Sequence, residues 1–280
     1  MLTILSQHHG IFIGLVTLLG LIMGSFLNVV IYRLPIMLRA QWQHDCQENA
    51  SSATAEKNQR FNLALPSSHC PHCQRRLSIV DNIPLLSFIL LRGRCRYCQQ
   101  KISWQYILTE LFTAMSSGIV ASFFLVSWQC GAALFFTWAL IALSAIDYKH
   151  HLLPDSITLP LLWTGLVINA TPISFVSTHA AVIGAAVGYG TLGLIAHGYK
   201  LLRGKVGMGQ GDWKLLAAIG AWFAWQSLPF ILLIASLLGS VIGITMLLSK
   251  RIRHNTPLPF GPYLALAAWL MMLWLQNQWW

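Results

Sequence analysis

The sequence predicts an all-α polytopic membrane protein, with about eight transmembrane helices and a small zinc-binding cytoplasmic domain after the first. Three observations carry this reading. The 280-residue chain is 56% hydrophobic and only 9% charged, whereas soluble domains carry about 25% charged residues. Apolar runs near the roughly 20 residues that a spanning helix needs recur along it. All eighteen Lys and Arg fall on one side of a membrane that the chain crosses eight times.

The predicted spans are about 11–32, 106–127, 129–147, 156–170, 179–198, 212–226, 228–249 and 260–278. No Lys or Arg precedes Arg33, ten lie from Arg33 to Lys101, and Lys149 follows the third span. Lys200, Arg203, Lys205 and Lys214 surround a glycine-rich loop, and Lys250, Arg251 and Arg253 follow the seventh span. Lys and Arg mark cytoplasmic loops, so both chain ends are expected outside. No cleaved signal peptide is expected, because the N-terminus lacks a basic n-region. The domains read as 1–32, the first transmembrane helix; 33–105, a cytoplasmic zinc-binding domain with a variable insertion at 36–66; and 106–280, a seven-helix membrane domain. The net charge of +10 follows membrane topology and does not gather on a soluble face, so no nucleic-acid partner is expected.

The first span ends Gly24-Ser25-Phe26-Leu27-Asn28 through Arg33-Leu34-Pro35. Gly24 and Ser25 are small enough for close helix packing. Asn28 needs a hydrogen-bond partner on another helix or a substrate. Pro35 is expected to end the helix. Residues 36–66 are polar and mixed, and read as a poorly ordered insertion. Cys70-Pro-His-Cys73 is then followed, 21 residues on, by Cys95-Arg-Tyr-Cys98. Two Cys-x-x-Cys pairs supply four thiolates for tetrahedral zinc, and a cytoplasmic site argues against disulfides. A closed four-thiolate site leaves no position for water, so the metal is assigned to folding.

The chain has only 8 acidic residues, and a carboxylate in an apolar segment is costly and usually functional. Glu110 lies within the second span and reads as a polar contact between helices. Asp147 ends the third span, where the helix dipole disfavours an anion, and this favours function. Asp155 opens the fourth span after Pro154 and reads as an N-cap. Asp212 closes Gly207-Met208-Gly209-Gln210-Gly211-Asp212, whose glycines let another backbone approach it. The run is no phosphate loop, because Asp-Trp follows where Lys-Ser or Lys-Thr is needed. By topology Asp147 and Asp212 share the cytoplasmic membrane face. Two facing carboxylates suggest an aspartic hydrolase: one ionised Asp takes a proton from water and the other, protonated, polarises the peptide carbonyl. An ion-coupled secondary transporter is the alternative, but its acids belong at the bilayer midplane and these lie at the edge.

With these residues in place, the chain resembles the bacterial prepilin peptidases, or type IV leader peptidases, of the Gly-x-Gly-Asp aspartic membrane proteases. Four motifs carry the resemblance in order: Gly24 to Pro35, the two cysteine pairs, Ile146-Asp147 with Leu153-Pro154-Asp155, and Gly209-Gln210-Gly211-Asp212-Trp213-Lys214-Leu215-Leu216. In presenilin-like proteases the first Asp follows a Tyr, whereas Tyr148 comes after Asp147 here.

The resemblance implies a bifunctional enzyme. It would cleave the basic leader of type IV prepilins or type II secretion pseudopilins after a Gly, and methylate the new N-terminus with S-adenosylmethionine. Asp147 and Asp212 map to the catalytic aspartates, with Gly209, Gly211, Asp155 and Glu110 in support. Cys70, Cys73, Cys95 and Cys98 map to the zinc site. The implied setting is the inner membrane, among its lipids, with the zinc domain and active site facing the cytoplasm. Asp155, Glu110 or acidic lipid would recognise the basic leader. No dinucleotide-type fingerprint marks an S-adenosylmethionine site, and the 33–105 domain with its Gly24–Pro35 entrance is its expected location.

Overall fold

The first apolar run forms α1, His9–Glu48, a single helix of 40 residues. At 1.5 Å per residue it is about 60 Å long, twice the hydrocarbon thickness. The structure, a computed structural model, describes residues 8–48, 62–63, 69–70, 72–76, 78, 84–205, 207–249 and 258–278. Two expectations are corrected here. Pro35 does not end the helix, and residues 36–48 are helical, not irregular. The physical reason is burial of the turns that lead into the proline and of the proline itself. Leu27, Val30, Ile31, Arg33 and Leu34 are all buried, and the Arg33 guanidinium donates to the carbonyls of Asn62 and Leu63 at 3.1 and 3.2 Å. Packing of this kind outweighs the single backbone bond that a proline removes. The rest of the expected insertion is described only at 62–63.

Contacts divide the chain into two compact units, residues 1–122 and 123–280. In the first, α1 pairs with α3, Trp104–Phe124. Small residues let the backbones meet: a Cβ on Gly20 would lie 2.6 Å from Ser117 Oγ, one on Gly24 2.7 Å from Glu110 Cα, and one on Gly118 2.6 Å from Thr17 Oγ1. That is the close packing that membrane helices use in place of a hydrophobic drive. The Asn28 amide donates to the Tyr106 carbonyl at 2.9 Å, so its need is met within this pair. Between the two helices come the cysteine pairs and α2, Leu86–Leu90.

The second unit is helical throughout its described residues. It comprises α4 (Trp128–His150), α5 (Asp155–Asn169), α6 (Thr178–Arg203), α7 (Gln210–Leu248) and α8 (Gly261–Gln278). Helix ends are closed locally. The Ser127 and Ser177 hydroxyls cap α4 and α6, and Gly204 closes α6 in the left-handed conformation. The first half of α7 is the core, since every residue from Leu215 to Ala224 is buried. Trp222 donates its indole N–H to the Leu161 carbonyl at 2.8 Å and packs on Phe136 and Phe175. On α6, Gly184 and Gly188 lie against the α7 backbone at Gly220 and Leu216, where no side chain fits.

The sixth and seventh expected spans are one element, α7, interrupted by Ala224 at φ 65° and ψ 171°. The Asn169 amide covers the carbonyls that this break releases, donating to Ala221 and Trp222 at 2.8 and 3.2 Å. Its oxygen accepts from the N–H groups of Phe175 and Val176. Beyond the break the chain doubles back. Gly239 and Gly243 face Tyr263 and Leu258, beside the start of α8. Among the described residues five helices, α1, α3, α4, α6 and α7, are long and apolar enough to cross a membrane, and α8 is a shorter apolar helix. With α7 counted as two arms, the eight predicted spans all have helical counterparts.

Candidate active site and metal centre

Four helix ends meet at one end of the second unit. They are the last turn of α4 with Asp147, and the first turns of α5, α7 and α8. Asp147 is 6% exposed, and its Oδ2 accepts the N–H of Gly261 at 2.9 Å. The α4 carbonyls disfavour an anion at this position, and the N-terminal amide of α8 offsets them. His151, the left-handed cap of α4, is close enough to act on the carboxylate electrostatically. Asp212 lies in the first turn of α7, where the dipole favours an anion. The two carboxylates, 65 positions apart in sequence, are close enough for Asp147 to act on Asp212 electrostatically.

Neighbouring side chains fix these ends. The Leu153 side chain fills the place where Gly211 would carry its own, 2.7 Å from Leu153 Cβ. Gly211 thus lets the loop before α5 close onto α7. Gly209 differs: it is the N-cap of α7 with ordinary extended angles, and nothing lies within 4 Å of a Cβ built there. The Trp213 ring sits against Tyr189 and His197. Its buried indole N–H has no hydrogen-bond partner, at a cost of about 1–3 kcal/mol.

Asp155 is placed differently from expectation. The N-cap of α5 is Pro154, not Asp155. The Asp155 carboxylate is instead held by the Lys214 ammonium, at 2.8 and 2.7 Å to its two oxygens, so it is already paired and is not a free acid awaiting a basic leader. Glu110 is 8% exposed and accepts the N–H of Leu85 at 3.0 Å. It ties the segment before α2 to the α1–α3 pair, which is the polar contact read from sequence and not a leader-binding surface.

In the first unit, Cys70, Cys73, Cys95 and Cys98 bring their sulfurs within 4.8 Å of one another. Cys70 and Cys98 Sγ are 3.8 Å apart, close to the ~3.8 Å edge of a tetrahedron with Zn–S bonds of ~2.3 Å. The cluster can hold a metal ion. Each pair is built the same way. The N–H of the first Cys bonds a carbonyl five residues on (Arg75, Gln100), and the residue after the second Cys bonds back to the first. That residue, Gln74 or Gln99, is left-handed with φ 57° or 56°. Arg75 lies over the Tyr97 ring at 5.3 Å and joins the two turns. Backbone N–H groups of Cys98, then Tyr97, pull the Cys95 thiol down to about 7, so one ligand ionises near neutrality.

The described residues of 33–105 do not fit S-adenosylmethionine equally well. They offer an open face of α1 at Arg39, Trp42, Gln43 and Cys46, which does not enclose a ligand of that size. Sequence reasoning missed four residues that shape the active-site unit. Gly261 had a signal in Phe260-Gly261-Pro262 at the start of the last span, and Lys214 was read as topology alone. Asn169 and Ala224 gave none.

Comparison with known proteins gives the chain a family. Residues 18–124 match the family described as Bacterial Peptidase A24 N-terminal domain, and residues 134–244 match the Type IV leader peptidase family. A protein of Stutzerimonas stutzeri called Prepilin leader peptidase/N-methyltransferase is 50% identical over 256 residues, covering 91% of this chain and 88% of that one. Proteins of the same name from Aeromonas hydrophila and Pseudomonas aeruginosa are 48% and 45% identical. Each covers 98% of this chain, and 96% and 94% of their own lengths are matched. No solved structure gives a significant match.

Proposed function

The chain belongs to the type IV leader peptidase family, and from that membership we propose a prepilin leader peptidase and N-methyltransferase with Asp147 and Asp212 as its catalytic pair. The observation that carries the assignment is the approach of these two carboxylates across four converging helix ends. The pair shares one proton. The ionised Asp takes a proton from water as the water oxygen attacks the scissile carbonyl carbon. The protonated Asp donates to the carbonyl oxygen. Collapse of the tetrahedral intermediate breaks the C–N bond: the leaving amine takes the proton that the first Asp accepted, and one hydroxyl of the intermediate returns its proton to the second Asp as the new carboxyl group forms.

The substrates are prepilins or pseudopilins, cut after the glycine that ends a basic leader. The enzyme lies in the inner membrane, with the dyad and cysteine cluster at the cytoplasmic face as the Lys and Arg distribution implies. The open space at Gly209 is a natural place for the substrate backbone to approach Asp212. Acidic lipid remains as the attractor of the leader, since Asp155 is paired and Glu110 is buried. The cluster at Cys70, Cys73, Cys95 and Cys98 holds structural zinc. The methyl group for the new N-terminus would come from S-adenosylmethionine, bound at a site that the described residues of 33–105 do not enclose.

The test is cleavage of a prepilin in detergent by wild type, Asp147→Asn and Asp212→Asn, with mass spectrometry of the product N-terminus. Both folded variants are expected to leave the leader on, losing at least about 10³-fold in rate, and the wild-type product is expected to carry the methyl group. Wild-type cleavage by either variant overturns the dyad.

A further inference from the structure

One glycine in the active-site unit does something that its backbone does not require. Helix N-termini leave amide groups without intrahelical partners. In α8 the count is short. Pro262 has no N–H, and Tyr263 and Leu264 both donate to the Phe260 carbonyl, at 3.1 and 3.2 Å. The Gly261 N–H goes elsewhere, to Asp147 Oδ2 at 2.9 Å across 114 positions of sequence. Gly261 has no positive φ, so alanine suits its backbone and would even favour the helix. What excludes a side chain is the aspartate. A Cβ there would lie 2.7 Å from Asp147 Oδ2, 3.1 Å from Cγ and 3.4 Å from Cβ. A methyl group would displace the whole carboxyl group, not the tip of a flexible chain.

Resting on the aspartic reading above, we propose that Gly261 is a positioning residue for Asp147. Its N–H fixes Oδ2 and leaves Oδ1 to the reacting water or carbonyl, and its missing side chain is the space the carboxylate occupies. Both carboxylates then sit at a helix N-terminus: Asp212 at its own, Asp147 at a neighbour's.

The test uses the full chain in detergent and measures kcat and KM for prepilin cleavage together with methylation of an already cleaved pilin. Gly261→Ala is expected to lower kcat at least about tenfold while KM stays within about threefold, with methylation retained as evidence of a folded enzyme. Gly131→Ala, whose Cβ meets nothing within 4 Å, is expected to match wild type. Wild-type kcat in Gly261→Ala, alongside an inactive Asp147→Asn, overturns the positioning role and leaves the dyad standing. An Asp147→Asn enzyme that still cleaves removes the dyad itself, so the two failures are distinct. If Gly261→Ala loses both activities, hydrogen exchange decides. The Gly261 amide is expected to exchange at least about tenfold faster in Asp147→Ala than in wild type, and an unchanged rate overturns the contact.

Discussion

At the residue scale the two glycines of the Gly-x-Gly-Asp run have different jobs. Gly211 is small because Leu153 occupies its side-chain space, with Leu153 Cβ, Cδ1 and Cγ at 2.7, 3.2 and 3.4 Å from a Cβ built there. Leu153 Cβ is fixed to its backbone and cannot swing aside, so alanine at 211 has to push the loop before α5 away from α7. Asp212 is the next residue. Gly211→Ala is therefore expected to lower kcat/KM for prepilin cleavage by about 10- to 100-fold. Exchanging sizes across the contact should recover part of that loss: Gly211→Ala with Leu153→Gly is expected to exceed Gly211→Ala alone, with a coupling of about 1–2 kcal/mol in the double-mutant cycle. Additive effects of the two changes would remove the contact as the reason for this glycine. The sequence shows that Asp212 follows a glycine-rich run, but not which glycine is filled from outside. Gly209, with open space around it, looks the same on paper.

The elements divide into those that local sequence specifies and those that tertiary contacts override. Asp147 and Asp212 are legible because a carboxylate stands out in an apolar run. The cysteine pairs are legible because four thiolates at that spacing have few other uses. Pro35 misleads because a local stop signal is outweighed by burial from Leu27 to Leu34 and by the Arg33 bonds. Ala224 carries no local signal because its conformation is held from outside, by Asn169 on α5, 52 positions from the first carbonyl it covers. Among the described residues near the cysteine turns, α2 is five residues long with none buried. There a bound metal would do what apolar burial does elsewhere. Removing it with a strong chelator is expected to open residues 69–103 to proteolysis while the far-UV helical signal, which comes from the long helices, stays. A protease-resistant segment after verified metal loss would sink this. Acid should act in the same direction. Metal binding needs thiolates, and Cys95 at about 7 is protonated as pH falls, so metal content is expected to drop on acidification and not on raising the pH.

For the whole molecule, the deciding feature is the doubling back of α7. Its 39 residues would reach about 58 Å as a straight helix, roughly twice the hydrocarbon thickness. Instead the first arm runs from Asp212 to the break at Ala224. The second returns until Gly243 meets Leu258, close to Gly261 and hence to Asp147. On this course Lys214, near the start of the first arm, and the Lys250, Arg251 and Arg253 that follow the second arm in sequence are expected on one side of the membrane. A single crossing would split these cations between two faces, against the tendency of Lys and Arg to share one. Reporter fusions that are active on only one side decide between the two. Truncations fused after residues 205 and 253 are expected to report the same side, and fusions after 226 and 278 the opposite one. If the fusion after 253 reports the side opposite to that after 205, α7 crosses once, the count of eight spans is wrong, and the charge distribution needs another explanation.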